Sequence, residues 1–233
     1  MQENANVYVI IPAFNEAGAI HQVVGDIPRG LVREVIVVNN ASTDETEINA
    51  RNAGATVLRE ARKGYGYACL KGMAWLAAKP GPEKPEVVVF LDGDYSDHPE
   101  QMEELVRPIL SGTHDLVIGS RATGARERGA MTPQQLFGNW LATTLIRLLY
   151  KVEFTDLGPF RAIRYSSLLA IGMQDKTYGW TVEMQVKAAK AGLRCMEIPV
   201  DYRRRIGVSK VSGTLKGTIL AGYKILTTIF KLL

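Results

Sequence analysis

Two carboxylates two residues apart, Asp92 and Asp94 in Phe90-Leu91-Asp92-Gly93-Asp94, stand where an apolar, β-type run ends. In an extended segment, residues i and i+2 point the same way, so this pair is placed to share a divalent cation. A cation there would neutralise a pyrophosphate. Two other stretches have the same build, Ile10-Ile11-Pro12-Ala13-Phe14-Asn15-Glu16 and Val37-Val38-Asn39-Asn40-Ala41-Ser42-Thr43-Asp44. Each begins as a β-branched or large apolar run and ends in small, polar or acidic residues. Strands read this way when their C-terminal ends open onto a ligand crevice. Together they point to an enzyme that handles an activated nucleotide.

The elements that must position these residues follow from the hydrophobic periodicity. From Val7 to about Gly119 it predicts strands near 7–12, 34–39, 55–59, 86–91 and 115–119, with helices near 17–27, 44–53, 64–78 and 99–110. Short connections between alternating strands and helices imply right-handed crossovers and a mainly parallel α/β sheet covered on both faces. Ser42 or Thr43 is expected to cap the second helix. Arg121 to Thr132 reads as a loop with glycines and three arginines, a mobile lid beside the crevice. A helix over 133–150 places Leu136, Trp140, Leu141, Thr144, Leu145 and Leu148 on one face. A strand near 160–164, a helix near 180–191 and a strand near 194–199 complete the domain, taken as 1–212.

Beyond it, 213–233 reads as an amphipathic helix. Lys216, Lys224 and Lys231 fall within an arc of about 80° beside Leu215, Ile219, Tyr223, Leu226, Phe230 and Leu233. An apolar face edged by lysines suits a membrane interface. It suits equally a helix docked on the core or a dimer contact.

At 233 residues, 46% hydrophobic and 22% charged, the chain has the composition of a folded globular domain. No run of about 18 uncharged apolar residues predicts a membrane span, and no basic-then-apolar leader is present. Cys69 and Cys195 have no metal-ligand spacing and fit a reducing compartment. The net charge of +4 is uneven. Arg121, Arg126, Arg128, Arg147, Arg161, Arg164, Arg203 to Arg205, Lys210 and the terminal lysines all fall in the second half. Such a surface suits phosphate-bearing ligands or an anionic membrane. Nucleic acid is excluded as a partner, since no binding motif or aromatic platform accompanies the charge.

Taken with Arg204-Arg205-Ile206-Gly207-Val208-Ser209-Lys210, these three strand-end motifs resemble the inverting family 2 glycosyltransferases of GT-A (Rossmann-like) fold, and within them the polyprenyl- and dolichyl-phosphate mannosyl- and glucosyltransferases. The resemblance spans nearly the whole chain. It implies a nucleotide-sugar site made by Pro12, Ala13, Phe14, Glu16, Asn40, Lys63, Asp92, Gly93, Asp94, Arg121, Arg204 and Lys210. Asp92 and Asp94 would hold Mg²⁺ or Mn²⁺. Asn40 stands where the family usually carries a base-reading Asp; an amide can both donate and accept. Lys63-Gly64-Tyr65-Gly66 resembles the family's basic turn beside the nucleotide. Ser96 replaces a common Gln. Asp156-Leu157-Gly158-Pro159-Phe160-Arg161 resembles an acidic, then Gly-Phe-Arg segment, one residue shorter and with Pro159 in place of Gly. Asp156 and Glu183 are the candidate catalytic carboxylates beside the metal pair, and Trp180 is read as a core anchor or, as the alternative, a platform that stacks on a sugar.

The implied reaction is one in-line displacement at the anomeric carbon of a UDP- or GDP-sugar, with a polyprenyl phosphate as acceptor at the cytoplasmic membrane face. An ionised phosphate oxygen needs no general base, whereas a sugar, lipid or other hydroxyl would need Glu183 or Asp156 to take its proton. That hydroxyl transferase is the nearest rival. A nucleotidyltransferase would show a Gly-rich basic signature where Pro12 to Glu16 stands. A catalytically inactive membrane scaffold is the remaining alternative.

Overall fold

The structure, a computed structural model, describes residues 5–207 and 215–233. Its elements in chain order are β1 (Val7–Ala13), α1 (Ile20–Gly25), β2 (Glu34–Asn39), α2 (Thr46–Asn52), β3 (Thr56–Arg59), α3 (Tyr65–Ala77), β4 (Val87–Phe90) and α4 (Met102–Leu110). There follow β5 (Leu116–Ser120), α5 (Pro133–Tyr150), β6 (Arg161–Arg164), α6 (Tyr165–Ile171), α7 (Trp180–Lys190), β7 (Cys195–Pro199) and α8 (Leu215–Lys231).

All seven residues of β1 are buried because both faces of its strand are covered. Val7, Val9 and Ile11 point to the layer holding α1 and α4, while Tyr8 and Ile10 point to the layer of α3, α5 and α7. The strands form one sheet in the order β3-β2-β1-β4-β6-β5-β7. Four pairings are parallel, but β6 runs antiparallel to both β4 and β5. The α/β fold class expected from the sequence holds, as a mixed, mostly parallel sheet flanked by helices. The C-terminal ends of β1, β2 and β4 meet at one edge. Each leads into a non-glycine residue of positive φ, Asn15 (55°), Ala41 (62°) and Tyr95 (63°). Such conformations are retained where surrounding structure enforces them, commonly at ligand sites.

Two local expectations change. Neither Ser42 nor Thr43 caps α2; Asp44 Oδ1 accepts from Thr46 N at 3.0 Å instead. Ser42 Oγ accepts from Asn15 N at 3.0 Å and Asn15 Oδ1 accepts from Thr43 N at 2.8 Å, which ties the β1 and β2 loops together. Second, α5 starts in a capping box between Thr132 and Gln135 but turns a different face inward. Ala142, Thr143 and Ile146 are buried, while Leu136, Phe137, Trp140 and Leu148 are exposed. Apolar residues occupy more than one side of this helix, so periodicity found a stripe without telling which stripe meets the sheet.

The terminal helix α8 packs against α5 and α7, the docked arrangement among those its pattern suits. Ile229 is fully buried, and Tyr150 Oη donates to Ile229 O at 2.6 Å. Lys224, counted on the lysine edge, pairs with buried Asp175 at 2.8 Å. Ile219, Tyr223, Phe230 and Leu233 remain exposed on the outer side. No helix among the described residues is long and apolar enough to cross a membrane.

Candidate active site

The strand-end loops enclose a cavity of about 540 Å³. Pro12, Ala13, Phe14, Glu16, Asn40, Lys63, Asp92, Gly93, Asp94 and Arg121 all line it. Ala221, Gly222 and Ile225 of α8 form part of the wall, so the terminal helix borders the site. A second cavity, about 550 Å³ and lined by Lys84, Glu86 and Arg164 among others, contains none of these residues.

At the floor, Asp92 Oδ1 accepts from Tyr65 Oη at 3.0 Å. Asp94 Oδ1 accepts from Ser96 N at 3.0 Å and Ser96 Oγ at 2.5 Å, and its Oδ2 pairs with Arg205 Nη2 at 2.8 Å. Burial and then the Asp94 charge push Asp92 up to about 6. Asp97 lies behind them, buried, with neither carboxylate oxygen hydrogen-bonded. Burial, followed by Asp92, raises its pKa well above the usual carboxylate range and favours the neutral form. Burial alone would lower Arg205, but Asp94, Tyr202 and Asp92 hold it above its ordinary value. Excess negative charge is thus built into the floor, and a guanidinium already answers part of it.

The donor set fits a divalent metal. Two carboxylates converge beside open cavity, and Arg205 stands as a cation on one of them. Among the described residues no group of three or more His, Cys, Asp or Glu side chains forms a metal cage. A hard cation such as Mg²⁺ is commonly held by one or two carboxylates with the remaining positions left to phosphate and water.

Asn40 lines the cavity, but its amide is committed to the chain. Its Oδ1 accepts from Gly64 N at 2.8 Å, and its Nδ2 donates to Arg62 O at 2.7 Å and Glu60 O at 3.2 Å. Both Nδ2 donors are thereby used, and the side chain braces the Lys63 turn. Close packing also explains the glycines of that turn. A Cβ on Gly64 would stand 2.3 Å from Lys176 O, and one on Gly66 2.0 Å from Asp175 O. The ammonium of Lys63 sits over the Phe14 ring, 4.9 Å from its centroid.

Both candidate bases are engaged. Asp156 is fully buried and grips Arg121, with Nε to Oδ2 at 2.7 Å and Nη2 to Oδ1 at 2.8 Å. Glu183 does not line the cavity. It accepts from Gln174 N at 3.0 Å and Asp175 N at 2.7 Å and pairs with Lys187 at 2.8 Å. Glu183, a candidate base from the sequence, is thus placed against the 174–175 backbone rather than on the cavity lining. Arg161 is likewise a structural residue: buried, it donates to Leu157 O, Gly158 O and Thr181 O. Trp180 is a core anchor, edge-on to Phe90 at 5.7 Å, although it also touches the cavity.

The triple arginine needs a correction. Arg204 faces away from the cavity, with its Nε donating to Arg128 O and its backbone N–H donating to Glu127, both at 2.9 Å. Arg205 faces the cavity instead. The segment runs extended along the Asp94 loop, with Arg203 N donating to Ser96 O and Ile206 N to Asp94 O, each at 3.0 Å. Neighbouring side chains on an extended segment point to opposite sides. The alternation would have separated Arg204 from Arg205 in the sequence, but only the register against the loop says which faces in. Lys210 lies outside the described residues. Tyr65 of the Lys63–Gly66 turn also lines the cavity, as do Tyr202 and Met131, which no sequence motif marks.

This fold and floor are those of a nucleotide-sugar enzyme, and the comparisons agree. The model of glycosyl transferase family 2 matches residues 8–172, and the chain belongs to that family. It is a glycosyltransferase. An uncharacterized glycosyltransferase of Mycobacterium tuberculosis is 35% identical over 216 residues, covering 92% of this chain and 94% of that protein. The undecaprenyl-phosphate mannosyltransferase of Micrococcus luteus is 32% identical over 225 residues, 91% of this chain and 89% of its own length. Among solved structures, M. tuberculosis glucosyl-3-phosphoglycerate synthase, in complex with Mn²⁺, UDP and phosphoglyceric acid, superposes with a TM-score of 0.74. It covers 97% of this chain and 78% of its own at 24% identity, a likeness of fold. The chain is thus similar in sequence to an enzyme named for a lipid phosphate, and in fold alone to one named for glucosyl-3-phosphoglycerate.

Proposed function

We propose that this enzyme transfers a hexose from a UDP- or GDP-sugar to an oxygen acceptor, with Mg²⁺ or Mn²⁺ held by Asp92 and Asp94. The observation that carries this reading is the meeting of those two carboxylates with Arg121, Arg205 and Lys63 around one cavity. The bound cation would neutralise negative charge on the diphosphate leaving group. Arg205 and Lys63 place further positive charge beside the same space, where it acts on developing charge without rearrangement. Asp156 keeps Arg121 in position, and Phe14 keeps Lys63 over the cavity. A Mn²⁺-bound solved neighbour supports the metal.

For the acceptor we propose the phosphate oxygen of a polyprenyl-type lipid, reached peripherally from the cytoplasmic membrane face. Both carboxylates nominated as bases are occupied, which suits a nucleophile that is already ionised. Cavity-lining residues of α5 and α8 share those helices with exposed Phe137, Trp140, Ile219 and Tyr223, a surface suited to a lipid interface. The named Micrococcus luteus relative acts on such a carrier. A hydroxyl acceptor is the second reading, favoured by the fold likeness to a synthase solved with phosphoglyceric acid. Parallel assays with undecaprenyl phosphate and with hydroxyl acceptors, including phosphoglyceric acid, separate them. Glycolipid from the lipid phosphate is expected; product only from a hydroxyl compound would refute the lipid reading.

A further inference from the structure

The oxygens at the cavity floor are almost fully used by the chain itself. Asp94 Oδ1 serves Ser96 N and Oγ, Asp94 Oδ2 serves Arg205, and Asp92 Oδ1 serves Tyr65. A divalent ion arriving alone at Asp94 competes with a guanidinium for the same carboxylate and leaves that guanidinium beside a second positive charge. An ion arriving with a nucleoside diphosphate offers an exchange. Asp94 passes to the metal, and Arg205 gains phosphate oxygens, which a planar guanidinium binds well.

We infer that Arg205 is the resident counter-cation of Asp94 in the unloaded site, and that it makes the enzyme take metal and nucleotide jointly rather than metal first. The inference rests on the metal reading above and concerns the order in which the site fills. Surrounding structure permits the exchange. Arg203 clamps the backbone of the Asp94 loop through Tyr95 O at 2.8 Å and Asp97 O at 3.0 Å, so the segment stays in place. The Arg205 side chain is 27% exposed and pairs with Asp94 at 2.8 Å, so it is able to turn toward a ligand without moving that backbone. A guanidinium there also answers the negative charge that Asp92 and Asp94 would otherwise share.

The test is Mn²⁺ binding followed by electron paramagnetic resonance of the free ion, on wild type, Arg205→Gln and Arg205→Lys, with and without UDP. Without UDP, Arg205→Gln should bind Mn²⁺ about fivefold more tightly than wild type, the scale of one partly exposed ion pair. Arg205→Lys should fall between them, since it keeps the charge but not the fork. With Mn²⁺ saturating, UDP affinity of Arg205→Gln should drop about tenfold, the scale of a lost charge-assisted contact. Unchanged or weaker Mn²⁺ binding by Arg205→Gln without UDP would overturn the inference while leaving the metal reading intact. No Mn²⁺ uptake by wild type even with UDP would overturn both.

Discussion

Arg121 and Asp156 form a two-pronged ion pair in which the Asp156 side chain is 1% exposed and the Arg121 side chain 11%. Asp156 Oδ2 also accepts from Arg121 N at 2.8 Å, so one carboxylate fixes both the side chain and the backbone at the end of β5. Removing one partner of a buried pair strands the other charge and costs about 3 kcal/mol or more. Asp156→Ala should therefore lower the melting temperature by roughly 6–12 °C, from about 2–4 °C per kcal/mol for a chain of this size. Calorimetry beside kinetics decides its role. An enzyme of unchanged stability that has lost kcat would instead make Asp156 the reacting base.

Glu183 offers the complementary case. Glu183→Gln keeps an acceptor for the Gln174 and Asp175 amides but loses the ion pair with Lys187. Stability should fall by about 1.5–3 kcal/mol, the range for hydrogen bonds to a charged group. Activity at a temperature where the variant is folded should stay within about threefold of wild type, as expected of a group outside the cavity. A loss of several hundredfold in kcat, the scale of a general base, would place it in the catalytic set.

Asn40 should behave as a brace. Asn40→Asp retains the bond from Gly64 N but turns both donor contacts into repulsions between a carboxylate and the carbonyls of Glu60 and Arg62. A loss of about 2–3 kcal/mol is expected, in the range for unsatisfied buried polar groups. Donor KM should rise as the Lys63 turn loosens, and denaturant unfolding with donor titration measures both. An Asn40→Asp enzyme that is fully stable but switches between UDP- and GDP-sugars would show the side chain reading the base.

Asp92 gives the site a pH signature. Its pKa in the folded chain is about 6 against an ordinary 3.8, so the native state holds this proton more tightly than the unfolded state. Between those values the unfolded chain binds fewer protons, and the Asp92 contribution to stability falls as pH rises. Metal-free Asp92→Asn, which carries no charge there, should gain on wild type from about pH 4 to pH 6 in thermal unfolding. Metal uptake has the opposite slope because the ligand must be ionised. Mn²⁺ affinity should weaken by up to about tenfold per pH unit below about 6 and level off above it.

The central strands were legible because β1, β2 and β4 are covered on both faces and so appear as unbroken apolar runs. Their polar ends located the cavity from the same pattern. What stayed hidden depended on partners distant in sequence. The strand near 160–164 was readable, but nothing local says that β6 slips antiparallel between β4 and β5. The capping and periodicity of α5 set its limits, whereas its inward face is chosen by the sheet beneath it. Arg204 and Arg205 are equivalent as residue types; only the pairing of 203–206 with the Asp94 loop turns the second one inward. Glu183 looked catalytic from its place at a helix start, yet the amides of 174 and 175 had already claimed it.

The most direct test is calorimetric titration of UDP- and GDP-sugars with Mn²⁺ into wild type and Asp94→Asn. The site described here should give saturable, chelator-sensitive binding of at least one donor to wild type, weakened at least about tenfold in Asp94→Asn, about 1.4 kcal/mol. Donor binding that is indifferent to both metal and Asp94, or no donor binding at all, would contradict it.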